Sequence, residues 1–118
     1  MDGRSRMKSK IVLVRFPFDD LSATKVRPAL CLTEPIGTHN HVVLAFITSQ
    51  PPPQALPSGL VIDPTHPDCG APGLHVRSAI RLHRLMTVSA DIVIRELGVV
   101  SAALSEDIAA RLRRLFGL

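Results

Sequence analysis

Apolar residues in this chain come in short runs. The longest span residues 11–14 and 42–48, far below the roughly 18 consecutive apolar residues that a membrane-spanning helix needs. Runs of this length, rich in Val, Ile and Phe and bounded by Pro, Gly and charge, are the mark of strands. The chain is therefore expected to fold as many short strands. A length of 118 residues with 46% apolar and 20% charged side chains points to one domain with a real core and excludes a wholly disordered chain. The start, MDGRSRMKSK, is basic but has no apolar stretch of the kind a secretory signal needs, so a cytoplasmic protein is expected. The two cysteines, Cys31 in an apolar run and Cys69 in a Pro/Gly loop, fit free thiols in such a compartment.

Residues 1–9 are expected to form a flexible basic arm, with a single domain over 10–118. KIVLVRFPF (10–18) alternates as a half-buried strand, and Pro17 weakens its end. Residues 19–26 are small and polar, a loop. RPALCLT (27–33) is a second strand, begun in extended geometry because Arg27 precedes proline. Turn chemistry around Gly37 leads to a third strand, HVVLAFIT (41–48), which the prolines at 51, 52 and 53 terminate. Shorter strands are expected at 60–63, 74–82 and 85–88, while 92–100 is ambiguous. The chain ends in a helix with Ser105 as its cap, Ile108, Leu112, Leu115 and Phe116 as its apolar face, and arginines late, where the helix dipole favours cations. Many strands and one helix suggest a mainly β fold, a small, strongly bent antiparallel barrel with the helix packed on it.

The formal charge is +4, and every cation except Lys8, Lys10 and Lys25 is arginine, whose planar fork suits phosphate. The segment HVRSAIRLHR (75–84) holds Arg77, Arg81 and Arg84 with two histidines and no acid. Such a surface favours a polyanion, nucleic acid first; a merely solvated charged face is the alternative. A hairpin of strands two and three centred between Gly37 and Thr38 pairs residues whose numbers sum to 75. That register sets Leu30 opposite Ala45, Leu32 opposite Val43, and Arg27 opposite Thr48, with directly opposed Cβ atoms about 5 Å apart on one face. A guanidinium and a hydroxyl then share the open end of the hairpin. Ser22, Lys25, Ser49 and Gln50 lie on the loops beside it and are candidate contacts to phosphate or base edges.

At these residues the chain resembles a known family. IVLVRFPFDDLSATKVRPALCLT is similar to the opening of the MazF/PemK-type toxins of type II toxin–antitoxin pairs, LAFITSQ to their next block, and SAIRLHRLMTV to a third, in family order. The resemblance implies an SH3-like barrel, usually a homodimer, that cleaves single-stranded RNA such as mRNA without metal or other cofactor. It also implies a cognate antitoxin whose C-terminal segment occupies the RNA groove. The family's usual catalytic pair falls on Arg27 and Thr48, the residues that the register brings together. An arginine and an acid that some relatives use in the third block fall on Arg81 and, with a change of chemistry, His83. A second departure sets Ser9 and Lys10 where relatives often have Gly-Asp.

Metal-free cleavage of RNA uses the ribose 2′-hydroxyl as nucleophile and leaves a 2′,3′-cyclic phosphate and a 5′-hydroxyl. The protein must orient that hydroxyl, stabilise charge on the phosphoryl oxygens and handle two protons. Arg27 and Arg81 suit the charge, Thr48 suits a nonbridging oxygen, and an imidazole at position 83 titrates in the range useful to an acid or base. Arg77 and Arg84 are candidate RNA contacts, and Phe18 or an arginine plane is the expected stacking platform. His39 with His41, and His66 with Cys69 and His75, match no tight metal-ligand spacing, and Asp19-Asp20 needs only turn chemistry. Two other readings remain: a non-nuclease toxin on the same barrel, similar to the gyrase-directed CcdB type, and an inactive relative that binds RNA or a partner.

Overall fold

Strand β3 (His41–Thr48) is the centre of the molecule because it can bury both faces: Val42, Leu44, Ala45 and Ile47 are all inaccessible or nearly so. A computed structural model describes residues 6–16, 25–50, 56–63 and 74–118, with backbone only at Phe16 and Lys25. Among the described residues the other strands are β1 (Lys10–Phe16), β2 (Lys25–Cys31), β4 (Gly59–Ile62), β5 (Ser78–Ser89) and β6 (Val93–Val99). They form one antiparallel sheet in the order β4-β5-β3-β2-β1-β6. The fold is mainly β, as expected. The barrel is open, since β4 and β6 occupy the two edges of the sheet.

The sheet wraps around its first core. Ile11, Leu30, Ala45, Ile47, Leu60, Ile62, Ile80 and Leu82 come from five strands and meet Ile108 of the helix α1 (Ala102–Phe116). The opposite face carries a second core of Val12, Val14, Ala29, Cys31, Val42, Leu44 and Val88, closed by Met7. Burying each aliphatic side chain of this size contributes roughly 1.5–3 kcal/mol, so neither face could be left to water. Met7 is buried at the end of the expected arm, and its N–H donates to the Glu34 carboxylate at 2.8 Å. Residues 1–5 of that arm lie outside the described residues, as do Phe18, Asp19, Asp20, Ser22, His66 and Cys69.

The β2–β3 register is the expected one: Ala29 opposite Phe46, Leu30 opposite Ala45, Cys31 opposite Leu44, and Leu32 donating to Val43 O at 2.8 Å. The turn is centred elsewhere. Ile36 bridges His41, with left-handed backbone at Gly37 and Asn40. Pro35 has no N–H to give to a ladder, and beyond Leu32 the Val43 N–H donates to the Thr33 hydroxyl at 3.2 Å. Strand β2 starts at Lys25, earlier than expected, because Phe16 and Arg15 supply pairing partners for Lys25 and Val26.

Further differences arise in the second half. The strands expected at 74–82 and 85–88 are one strand, β5, whose register jumps: Phe46 faces Arg81 while Ala45 faces Leu85. Leu82, His83 and Arg84 have no partner on β3, and the Leu82 N–H instead donates to Ser58 O at 2.9 Å. The ambiguous 92–100 stretch is β6, entered through a 3-10 turn (Ala90–Ile92). Helix α1 is capped by Ser101, whose hydroxyl accepts the Leu104 N–H at 3.1 Å, and not by Ser105. The alanines at 102 and 103 favour helix and let it begin one turn sooner. Ile108 is buried, with Leu104 and Leu112 partly buried beside it, whereas Leu115 and Phe116 are exposed. Gly117, left-handed at φ 71°, ends the helix, with Leu118 N–H returning to Arg113 O at 2.8 Å.

Candidate active site

Side-chain parity on three strands builds one cleft. On β2, Arg27 shares the face of Ala29 and Cys31; on β3, Thr48 shares the face of Leu44 and Phe46. On β5, Arg81 stands opposite Phe46, and Met86 opposite Leu44. Regular alternation would send Arg84 to the other face from Arg81, but the unpaired stretch 82–84 re-aims it. The result is a cleft of about 240 Å³ lined by Arg27, Phe46, Ile47, Thr48, Arg81, Arg84 and Met86.

Hydrogen-bonded pairing of β2 with β3 stops at Ala29, since Pro28 offers no N–H, so Arg27 and Thr48 are cleft neighbours and not a ladder pair. Arg27 is exposed at the mouth and its backbone is held by pairing with Val14 on β1. Thr48 is half-buried. Its Oγ1 accepts the Gln50 N–H at 3.1 Å, which orients the hydroxyl proton toward other acceptors. Of the described residues, three guanidiniums and no acid line the cleft, a field that attracts phosphate.

A wider hollow of about 650 Å³ shares Arg27, Ile47 and Thr48 and adds Ser49, Gln50, His75 and Arg95 among its walls. The structure thus brings together Arg27, Thr48, Arg81 and Arg84, with Ser49 and Gln50 adjoining. Lys25 begins β2, two residues before Arg27. Arg77 is exposed just ahead of β5 and lines neither hollow. His83 also lies outside the cleft lining: its Nδ1 is 2.9 Å from Ser58 Oγ, in the turn before β4. Arg111 of α1 holds the same turn from the other side, donating to Pro57 O and Gly59 O at 3.1 Å each while Asp107 accepts from its Nε at 2.9 Å.

Sequence reasoning missed Phe46, Met86 and Arg95. Phe46 was legible in principle, because it precedes Thr48 by two residues on one strand and must share its face. Cys31 is fully buried, and burial pushes its thiol up from the usual 9.0 to about 11, so it is a core group and not a nucleophile. Among the described residues no cluster of His, Cys, Asp and Glu is arranged to hold a metal ion, although the rings of His39 and His41 lie 5.8 Å apart. Nor is any described helix long and apolar enough to cross a membrane.

The model of the PemK-like, MazF-like toxins of type II toxin–antitoxin systems matches residues 7–116. The chain belongs to that family. MazF-family toxins are generally endoribonucleases. No curated protein sequence matches this MazF-like chain, but solved structures do. The Mycobacterium tuberculosis toxin MazF-mt6 is 22% identical with a TM-score of 0.70, over 92% of this chain and 97% of that one. A MazE–MazF crystal structure from Deinococcus radiodurans is 17% identical with a TM-score of 0.73, over 99% of each chain. An endoribonuclease in complex with its cognate antitoxin, from a mycobacterial species, is 17% identical with a TM-score of 0.66, over 97% of each. At such identities the likeness is one of fold, and this MazF-like chain has the fold over nearly its full length.

Proposed function

We propose that this MazF-like chain is a metal-independent endoribonuclease that cleaves single-stranded RNA by attack of a ribose 2′-hydroxyl on the adjacent phosphorus. The observation that carries this reading is the cleft on which Arg27, Thr48, Arg81 and Arg84 converge, with no acid among its described lining residues. Arg27 and Arg81 donate paired N–H bonds to the nonbridging oxygens, where charge grows in the transition state. Thr48 donates its hydroxyl proton to the same group, held in place by the Gln50 N–H. Arg84 fixes the strand at the rim, and Ser49, Gln50 and Lys25 extend the track along the RNA. As the 2′-oxygen bonds to phosphorus its proton passes to solvent, and the bond from phosphorus to the 5′-oxygen breaks with a proton taken up from solvent, leaving a cyclic phosphate and a 5′-hydroxyl.

In this reading the chain is the toxin of a pair, acts in the cytoplasm as a homodimer, and is silenced by an acidic antitoxin segment laid over Arg77, Arg81 and Arg84. Incubation with mixed-sequence RNA in excess chelator, followed by analysis of fragment ends, is the direct test. Cyclic phosphate and 5′-hydroxyl termini are expected. Intact RNA bound with the salt dependence of a polyanion would instead mark a binding protein, and indifference to RNA would leave the gyrase-directed type of toxin.

A further inference from the structure

The floor of the cleft has a chemistry that phosphate does not need. Phe46 and Met86 both rest half-buried on the second core, and their remaining surface lines the cleft. Phe46 lies two residues from Thr48 on β3, about 6.6 Å along the strand, the scale on which a nucleotide's base stands off from its phosphate. Arg81 faces Phe46 across the β3–β5 pairing, and Arg84 enters from the unpaired stretch beside it. An aromatic ring, a polarizable thioether and guanidinium donors around one hollow are the parts from which proteins build a seat for an unstacked base.

We infer that Phe46 and Met86 form a nucleobase subsite, in which the base next to the scissile phosphate stacks on the Phe46 ring while Arg84 donates to its edge. The inference rests on the reading of the cleft as an RNA-cleaving site and assigns it a residue that selects the cleavage position. Size fits a single base: about 240 Å³ is the room of about eight liquid waters. The described residues offer little competition. There is no Trp or Tyr, and among the described side chains the other phenylalanine, Phe116, sits exposed at the end of α1. Charge complementarity makes the occupant part of a polyanionic strand, because every ionic group among the described residues lining the floor is a guanidinium.

The test is abasic scanning of a cleavable RNA, run on the wild type, on Phe46→Leu, which keeps apolar bulk but removes the ring, and on Phe46→Tyr, which keeps the ring. Removing the base at one position beside the cleavage site should lower wild-type kcat/KM about 5- to 150-fold, the range of one aromatic–base stack. Phe46→Leu should be slow on intact RNA by a similar factor and should suffer no further loss from that abasic site, the signature of two groups in contact. Phe46→Tyr should retain the wild-type penalty. An abasic penalty of equal size in Phe46→Leu, or no penalty at any position near the cut, overturns the inference while leaving RNA cleavage intact.

If the wild type cuts no RNA, the proposed function fails and the subsite is read by binding. A single-stranded oligonucleotide with 2′-deoxy sugars and 2-aminopurine scanned through it should change fluorescence at one position on wild-type protein, and Phe46→Leu should abolish that change. A signal indifferent to the ring refutes the subsite. So does a Phe46→Leu defect confined to the affinity for the antitoxin, which would make the floor a peptide site.

Discussion

Replacing Arg27 by lysine separates the charge at the cleft mouth from the geometry of its delivery. A lysine keeps the unit charge but loses the planar fork that reaches two phosphoryl oxygens at once. Arg81 and Arg84 remain in the cleft, so ground-state attraction for RNA changes little, and the logarithmic salt slope of binding should match the wild type. Arg27→Ala should lower that slope by about 0.7, the value of one contact to a single strand. Transition-state stabilisation is a different quantity. Loss of one preorganised donor typically costs about 2.7–4 kcal/mol, or about 100- to 1,000-fold in kcat, and both substitutions should fall in that range.

The fold should survive either change. Arg27 is exposed, its backbone is clamped by pairing with Val14, and the next residue is Pro28, so a stability change within about 1 kcal/mol is expected. Single-turnover cleavage at saturating protein reads the chemical step, and a thermal melt and a salt titration of RNA binding run beside it. A correctly melting Arg27→Lys protein with a turnover within about threefold of the wild type would refute the role of the fork. An Arg27→Ala protein that cleaves as well as the wild type would remove Arg27 from the chemistry altogether.

Three other outcomes are expected. His83→Gln should give a pH–rate profile that superimposes on the wild type after scaling, because His83 is bonded to Ser58 and does not line the cleft; a lost limb in single-turnover cleavage would restore it as acid or base. Ile108→Ala, at the contact of α1 with the first core, should destabilise the fold by about 2–5 kcal/mol and lower the melting midpoint by roughly 10 °C or more, read by calorimetry. Cys31, with its thiol pushed up to about 11 from 9.0, is protonated in the folded state where the unfolded chain is ionised. Its contribution to stability is therefore complete below pH 9 and lost as pH rises toward 11, visible as a falling denaturation midpoint that a Cys31→Ala variant does not share.

How far the residues themselves announce this molecule depends on the element. Strands two and three were legible down to the register: pairing that sums to 75 keeps Leu30 and Ala45 together in the first core, and a slip of one residue would send one strand's set to the second core on the other face. The jog in β5 was not. Leu82 and Leu85 are both apolar, and their spacing reads as two strands with a break, whereas the chain stays extended and finds its missing partner in Ser58. The helix start was masked by chemistry at the wrong serine: Ser105 is followed by Glu106 and Asp107, yet Ser101 caps. In the cleft, Arg27, Thr48 and Arg81 are found by motif, but Phe46 is not, since a search for stacking residues looks first to loops and this ring stands on a central strand. His83 could be placed in the chain but not in space, because the turn that binds it lies 25 residues earlier.

The unpaired stretch 82–84 acts on β5 as a change of phase. Before it, the odd-numbered Arg81 faces the cleft; after it, the even-numbered Met86 does. Inside and outside are thus counted separately on the two halves of the strand, and the count need not be carried across the gap. Elsewhere in a sheet a gain or loss of one residue inverts every side chain downstream. Here the slack absorbs it: Ser78–Arg81 stays locked to β3 and β4, and 85–89 stays locked to β3. Leu82 stays in the first core with its N–H on Ser58 O, so the freedom lies at positions 83 and 84. The molecule therefore carries, at the rim of its cleft, a place where the chain can vary in length and in residue while the phosphate-binding arginines and the floor keep their positions, so that what the rim selects can be rewritten without refolding the rest.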